Sequence, residues 1–235
     1  MNSGIQLFQT PLTDCPYLDG RQSSNIIVDP TYAIDPAAYD FLLENGFRRS
    51  AGMVYRPACP ACKACKSTRV PVMNFTPNRS QKRAWRRVEK DLSVQPLKPE
   101  FNQVHFELYK NYTRSRHAGS EMTESNISQY MHFLASDWSD TIFLEIKHDQ
   151  RLLAVAVTDK QPQSISALYT FFDPEKSHLS PGVIGILAQI ELARKLELDW
   201  LYLGYWIQDC QKMSYKTQYR PIQIYDSGQW LLLER

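Results

Sequence analysis

One stretch of the sequence, residues 78–90, is rich in positive charge. On a helix its cations recur every three or four residues and form one continuous stripe, while Trp85 and Val88 lie off that stripe. Most charge runs are solvated faces. Here the like charges repel one another with almost no acid among them, which favours a role in binding phosphates. The stretch therefore predicts a nucleic-acid-binding face made of Arg79, Lys82, Arg83, Arg86, Arg87 and Lys90.

A cluster of cysteines is the second candidate site. Cys59, Cys62 and Cys65 follow one another at intervals of three residues, and Cys15 lies far upstream. Three thiols at this spacing can converge on one ion with Cys15 as a fourth ligand, which predicts a zinc or iron–sulfur site. The alternative is a tight loop of reduced, redox-sensitive cysteines, because the spacing is only part of a four-ligand signature.

A group of cations follows the nearly all-apolar residues 200–207, which read as a central strand. Polar residues just beyond the end of such a strand are well placed to line a cleft. The cations there can bind carboxylates through charge-assisted hydrogen bonds. Two interpretations are compatible with this group, namely a cleft that binds an acid and a charged surface loop. The group consists of Lys212, Lys216 and Arg220 beside Tyr205 and Tyr215.

Arg116 and His117 form another basic pair, near the end of a predicted helix. They are second candidates for binding a carboxylate. The alternative is that these side chains only interact with the terminal carbonyl groups of the helix.

Composition limits the class of protein. The chain has 235 residues, 43% of them apolar, and a net charge of +2, so a nucleic-acid partner follows from the distribution of charge and not from its total. No run approaches the roughly 18 apolar residues of a membrane span, and residues 1–14 lack the pattern of a signal peptide. Five cysteines, an odd number, fit a reducing compartment. We expect a cytoplasmic protein without a membrane partner.

The elements that must position these residues begin with a turn-rich region. It contains a short helix between residues 35 and 46, followed by a strand or hairpin over residues 47–57. Thr76 is the predicted cap of a helix that runs to about residue 91, and two prolines in residues 92–99 indicate a linker. Two more helices are predicted over about residues 100–115 and 125–135.

From residue 141 the pattern becomes that of strands. Short β-type runs joined by polar turns predict an antiparallel meander over residues 141–172. A helix capped by Ser180 then runs to about residue 197, the apolar strand follows, and residues 222–233 form a final hairpin.

This order of elements is that of a GNAT-type acyltransferase core. We therefore predict an α/β (α+β) fold in two parts. Residues 1–75 form an N-terminal lobe that contains the cysteines, and residues 76–235 form a GNAT-like acyl-transfer domain.

Several motifs taken together resemble the arginyl-tRNA–protein transferase family, in particular its short bacterial branch, the aspartate/glutamate leucyltransferases. Any one motif is weak, but the set runs in the family's order and spans nearly the whole chain. The matching segments are residues 15–18, 46–50, 55–57, 59–65, 79–83, 116–117, 202–207 and 212–216.

The resemblance implies an activity: transfer of leucine or arginine from aminoacyl-tRNA to proteins that begin with Asp or Glu, which marks them for degradation. The length and the Cys-x-x-Cys-x-x-Cys form look like the leucyl branch, so leucyl-tRNA is the preferred donor and arginyl-tRNA the alternative. No organic cofactor is implied. Longer relatives with a different cysteine spacing have been linked to iron–sulfur or zinc binding, and the basic face would contact the tRNA backbone.

Such a reaction needs alignment more than a strong base. The aminoacyl ester is already activated, and an α-amine with a pKa of about 7.7–8.0 is partly neutral in the cell. We expect Tyr205 or backbone amides after the central strand to stabilise the oxyanion, and Asp209 to assist proton removal. The acidic first residue of the acceptor is expected to bind Lys212, Lys216 and Arg220, with Arg116 and His117 next.

Two other functions compete. An acetyltransferase that uses coenzyme A would show a Gln/Arg-x-x-Gly-x-Gly/Ala loop where the helix at residue 180 begins, and residues 176–183 lack it. A non-enzymatic, metal-dependent RNA-binding module could be built on the cysteines and the basic helix. That module would not need the long C-terminal half of the chain.

Overall fold

The structure, a computed structural model, describes residues 4–116, 119 and 121–234. Its α-helices are α1 (Pro36–Glu44), α2 (Arg79–Trp85), α3 (Gln103–Arg116), α4 (Ile127–Leu134) and α5 (Pro181–Lys195). Short 3₁₀ helices cover Val72–Asn74, Glu121–Glu124, Pro174–Leu179 and Gln211–Gln218. No helix in the described ranges is both long and apolar enough to cross a membrane.

The strands form one large sheet and two small ones. In chain order they are β1 (Leu7–Gln9), β2 (Thr13–Asp14), β3 (Gln22–Ser23), β4 (Asn25–Val28), β5 (Arg48–Ser50), β6 (Met53–Pro57), β7 (Lys66–Pro71), β8 (Leu92–Leu97), β9 (Asp140–His148), β10 (Arg151–Lys160), β11 (Ser164–Phe172), β12 (Trp200–Trp206), β13 (Gln223–Asp226) and β14 (Gln229–Leu232). The large sheet has the order β14-β13-β7-β12-β11-β10-β9-β8 within the described part of the chain.

The large sheet confirms the predicted GNAT-like core. β9, β10 and β11 form the antiparallel meander, α5 follows, and β12 returns parallel to β11 in the middle of the sheet. Alternate residues of β10 reach opposite faces, as a strand requires. Ala156 packs towards α5, whereas Val155 and Val157 pack with α3 and α4. Helices therefore cover the sheet on both sides and exclude water from it.

The N-terminal region forms a smaller sheet, β1-β4-β6-β5, against which α1 packs. Asp35 caps α1 as predicted, and its carboxylate accepts a hydrogen bond from the Ala38 amide. β7, however, lies between β12 and β13 in the large sheet. The cysteine-containing region thus contributes a strand to the core, and the predicted boundary at residue 75 falls just after that strand.

A buried ion pair connects the two sheets. Arg49 on β5 donates to both carboxylate oxygens of Asp159 on β10, at 2.6 and 2.7 Å, and both side chains are fully buried. Arg49 also donates to the carbonyl groups of Ala51 and Leu134, so its guanidinium is well satisfied. The adjacent residue, Arg48, is held in register by this pair.

The predicted linker over residues 92–99 is wrong. Leu92–Leu97 is β8, which pairs with β9 along its whole length. Proline is tolerated there because β8 is the edge strand of the large sheet, so one side of its backbone needs no donor.

The predicted basic helix is shorter than expected. It begins after Asn78 and not Thr76, since Asn78 and Gln81 form a reciprocal capping box. It ends at Trp85, and the chain then turns around the Arg87 carbonyl group, which accepts the amides of Asp91 and Leu92. Like charges three and four residues apart disfavour a longer helix.

Candidate functional site

A cleft opens where the two parallel strands separate. β11 and β12 pair only from Ser164–Ser166 to Trp200–Tyr202, although both strands continue beyond that point. The register with β10 shifts at Leu168, which is the extra residue of a bulge. Bulges bend a strand and leave one residue out of the ladder. The resulting cavity has a volume of about 570 Å³, within the usual range for ligand sites.

Arg48 lies in the gap between these strands. Its Nη2 donates to the carbonyl oxygen of Leu168 at 2.6 Å, and its guanidinium covers Gly204 of β12. A methyl group added at Gly204 would lie 1.4 Å from the Arg48 Nη1 atom, so a residue without a side chain is required there. Sequence reasoning assigned Arg48 no role. The only signal was its place in the segment 46–50, part of the family resemblance.

Positive charge dominates the cleft. Arg48 and the buried Lys216 lie deep in the cavity, and the exposed Arg116 and Lys212 lie at its mouth. No Asp or Glu is among the described residues that line it. The cavity therefore suits an anion.

Lys216 is the most buried of these cations, with 5% of its surface exposed. It donates from Nζ to the backbone carbonyl oxygen of Tyr205 at 2.5 Å. Burial, and then the nearby charge of Arg48, hold the pKa of the Lys216 amine well below its usual range. The predicted charged surface loop is thus excluded at this position, and Lys216 belongs to the cleft.

The remaining wall of the cleft is apolar and aromatic. Leu168 and Leu203 come from the separating strands, and Ile186 comes from the first turns of α5. All three are nearly inaccessible to solvent. Aromatic side chains complete the wall: Tyr112, Tyr169, Phe172, Tyr215 and Tyr219.

Other predicted residues lie away from the cavity. The Tyr205 hydroxyl points into the N-terminal region, where it donates to the carbonyl groups of Tyr55 and Gly46 at 2.9 and 3.1 Å. Burial raises its pKa well above the usual value. Asp209 is exposed and does not line the cleft. Arg220 donates to the carbonyl groups of Thr217 and Leu233, so its guanidinium holds the chain in place. His117 lies outside the described residues.

The basic face of α2 adjoins this cleft. Of the six predicted phosphate-binding cations, Arg79, Lys82 and Arg83 lie in α2, and Arg86, Arg87 and Lys90 follow its end. Five of the six are exposed, and four of them line a surface groove of about 910 Å³, namely Arg79, Lys82, Arg83 and Arg86. A smaller cavity between Arg83, Arg87 and the start of α5 shares Ser180 and Val183 with the cleft. Arg87 also donates to the His178 carbonyl oxygen at 3.3 Å, which fixes the face beside the cleft. The phosphate-binding candidates and the cleft therefore form one continuous surface.

The four candidate metal ligands line one cavity of about 260 Å³. Burial and then the neighbouring Cys59, Cys15 and Cys62 raise the pKa of Cys65 to about 11. Among the described residues, however, no three His, Cys, Asp or Glu side chains converge closely enough to hold a metal ion. A raised pKa also disfavours the thiolate that a metal binds. The side chains as arranged do not fit a zinc or iron–sulfur site, whose presence stays a prediction.

Comparisons with known proteins agree with this arrangement. Residues 13–83 match the family described as "Arginine-tRNA-protein transferase, N terminus", and residues 104–226 match its C terminus. The chain is 43% identical to an aspartate/glutamate leucyltransferase of Hahella chejuensis and 44% identical to one of Pseudomonas fluorescens, each over 97% of both chains.

Two solved structures share the fold at 10% sequence identity. The crystal structure of FemX has a TM-score of 0.53, covering 92% of this chain and 85% of that one. The structure of L-PGS from Bacillus licheniformis has a TM-score of 0.52, covering 72% of this chain and 62% of that one.

Proposed function

The chain belongs to the arginine-tRNA–protein transferase family, and on that premise we propose that it transfers leucine from leucyl-tRNA to proteins that begin with Asp or Glu. The acceptor so modified would be marked for degradation. The reaction would take place in the cytoplasm, where charged tRNA and such proteins meet. Relatives named aspartate/glutamate leucyltransferase support this choice of donor and acceptor.

The charge of the cleft carries the proposal. Cations without a carboxylate among the described lining residues attract an acidic acceptor residue through charge-assisted hydrogen bonds. The same cations repel the side chain of an arginyl donor, whereas the wall of Leu168, Ile186 and Leu203 accepts a leucyl group by burying its apolar surface. One cavity thus accounts for both halves of the specificity.

The position of α2 accounts for binding of the tRNA that carries the donor amino acid. Phosphates bind Lys and Arg whatever the nucleotide sequence, and the groove along α2 offers several of them. Because the smaller cavity shares Arg83 with this groove and Ser180 and Val183 with the cleft, a tRNA bound on α2 can direct its 3′ end into the cleft. The ester carbon would then meet the acceptor amine.

In the reaction the neutral α-amine attacks the ester carbonyl, an amide C–N bond forms and the ester C–O bond breaks. The proton that the amine nitrogen loses passes to the departing ribose oxygen. We assign oxyanion stabilisation to Arg48, because its guanidinium is a donor that lies inside the cleft. The Tyr205 hydroxyl is engaged elsewhere, so its part is to anchor β12.

The test is a transfer assay with purified protein, labelled leucyl- and arginyl-tRNA, and peptides that begin with Asp, Glu or Ala. We expect leucine on the Asp and Glu peptides, little on the Ala peptide, and at least roughly 100-fold less arginine, the discrimination of a few kcal/mol that an unpaired buried charge produces. Equal transfer of arginine would contradict the proposed donor. Binding of tRNA without any transfer would favour the RNA-binding module.

A further inference from the structure

Lys216 is a buried amine with no carboxylate beside it in the described part of the chain. The groups that face it are the Arg48 guanidinium from β5, the Cys210 thiol, the Tyr215 ring 5.9 Å away and the Tyr205 carbonyl group. Arg116, Lys212 and Tyr112 line the same cavity. Keeping a charge on an amine in this setting costs free energy, because it is both desolvated and next to another cation.

We propose that Lys216 removes the proton from the N-terminal ammonium of the acceptor, and that the acceptor's own acidic side chain enables it to do so. This inference rests on the proposed function and adds to it. The cavity supplies the geometry, because Lys216 lines the cleft in which the acceptor must lie and only 5% of its surface is exposed.

The coupling follows from electrostatics. In the empty cleft the neutral form of Lys216 is favoured by burial and by Arg48. When a carboxylate enters, it offsets the charge of Arg48 and attracts a proton to Lys216, since an opposite charge close by favours the ionised form of an amine. An acceptor that begins with Asn or Ala brings no such charge. Acceptor choice would therefore be part of catalysis and not only of binding.

The proton balance is complete. An N–H bond of the acceptor ammonium breaks and a new N–H bond forms at Lys216 Nζ, which leaves the acceptor amine neutral. After the amine has attacked the ester, its nitrogen carries one proton too many for an amide, and this proton passes to the departing ribose oxygen as the C–O bond breaks. Lys216 releases the proton that it took to solvent when the product leaves the cleft.

Calorimetry of peptide binding without tRNA separates this step from activity. A peptide that begins with N-acetyl-Asp has the carboxylate but no ammonium, so Lys216 must take its proton from the buffer. Titrations in two buffers of different ionisation enthalpy should show uptake approaching one proton per bound peptide near pH 7.5. N-acetyl-Asn peptide should show none.

Two substitutions decide the source of that proton. Lys216→Met replaces the lysine by an unbranched apolar side chain of similar size. Lys216→Arg keeps a positive charge at this position, and the guanidinium is not deprotonated in proteins. Proton uptake on binding N-acetyl-Asp peptide should vanish in both variants. Binding of the peptide by the unaltered enzyme without proton uptake would overturn the inference, as would unchanged uptake in Lys216→Arg.

The pH profile of leucyl transfer gives a second readout. Lys216→Arg should bind Asp peptide with a KM within about threefold of the original. Its kcat near pH 7 should fall roughly 100-fold, as loss of a general base predicts. The remaining rate should rise with pH through about 7.7–8.0, which is the pKa range of a free α-amine. An unaltered pH profile of kcat in Lys216→Arg would contradict this inference but not the proposed function. Absence of leucyl transfer by the original enzyme would contradict the proposed function.

Discussion

Arg48 shows how single residues shape the cleft. Its guanidinium fills the gap between β11 and β12 because it contacts the Leu168 carbonyl group on one strand and Gly204 on the other. Gly204 has a φ of +77°, so glycine is favoured there by its backbone as well as by the close approach of Arg48. The two residues form one device that holds the mouth of the parallel pair open.

Gly204→Ala tests this device. We expect the added methyl group to displace the Arg48 guanidinium and to lower kcat/KM for leucyl transfer to an Asp peptide by at least about tenfold. The matched control is Gly228→Ala, which also has a positive φ, +84°, but meets no atom within 4 Å. Both variants should lose similar stability from backbone strain, about 1–2 kcal/mol. Equal activity of the two variants would contradict the account.

At the scale of elements, the buried pair Arg49–Asp159 connects β5 to β10. This connection places the neighbouring Arg48 in the cleft, although the two strands belong to different sheets. Elements far apart in the chain thereby act together.

Loss of this pair should be costly. Arg49→Met leaves the Asp159 carboxylate buried without its partner, so we expect the free energy of unfolding in urea to fall by about 3–5 kcal/mol. The control is Lys160→Met, which removes the exposed pair with Asp140 at 3.5 Å. That change should cost no more than about 1 kcal/mol. Similar losses in both variants would show that the buried pair has no special role.

The α2 face makes a prediction about donor binding. Arg83→Glu should weaken binding of leucyl-tRNA and make the slope of log K against log salt shallower by roughly 0.7–0.9, one phosphate contact. Lys195→Glu is the matched control, because Lys195 is exposed at the far end of α5 from the cleft. Fluorescence titration at several salt concentrations measures both. Equal effects of the two reversals would mean that only net charge matters.

The elements could be predicted where local pattern decides them. Period-two runs identified β9, β10 and β11, and the apolar run at residues 200–207 identified β12. β8 was missed because its proline, Pro96, suits an edge strand as well as a linker, and only tertiary pairing distinguishes the two. The end of α2 was missed because helical spacing alone does not weigh repulsion along a helix.

The candidate site was only partly predictable. Lys212, Lys216 and Arg116 do meet in one cleft, but at different depths. Lys212 and Arg116 lie at its mouth, whereas Lys216 is buried. Arg48 could not be derived from local sequence, since its partner carbonyl group is 120 residues away. The side chain of Tyr205 turns away from the cleft that Leu203 lines because the register of β12 with β7 shifts at Leu203 and Gly204 has a positive φ, which together break the alternation of the strand.

At the scale of the whole molecule, three parts converge on one place. The basic face of α2 lies beside the mouth of the cleft, the separated strands form its floor, and the N-terminal region supplies Arg48 from behind. Each part alone would be an ordinary surface. In the proposed reaction they would present cations to two different anions, the phosphate backbone of the tRNA and the single carboxylate of the acceptor.

Acceptor discrimination in a double variant tests the central claim most directly, namely that the cleft recognises the acceptor by charge. Leucyl transfer would be measured as kcat/KM on peptides that begin with Asp or with its neutral isostere Asn, for the original enzyme and for Arg116→Glu/Lys212→Glu. The account predicts a preference for Asp of at least about 100-fold in the original enzyme, which falls to near unity or reverses in the variant. An undiminished preference for Asp in an active double variant would contradict it.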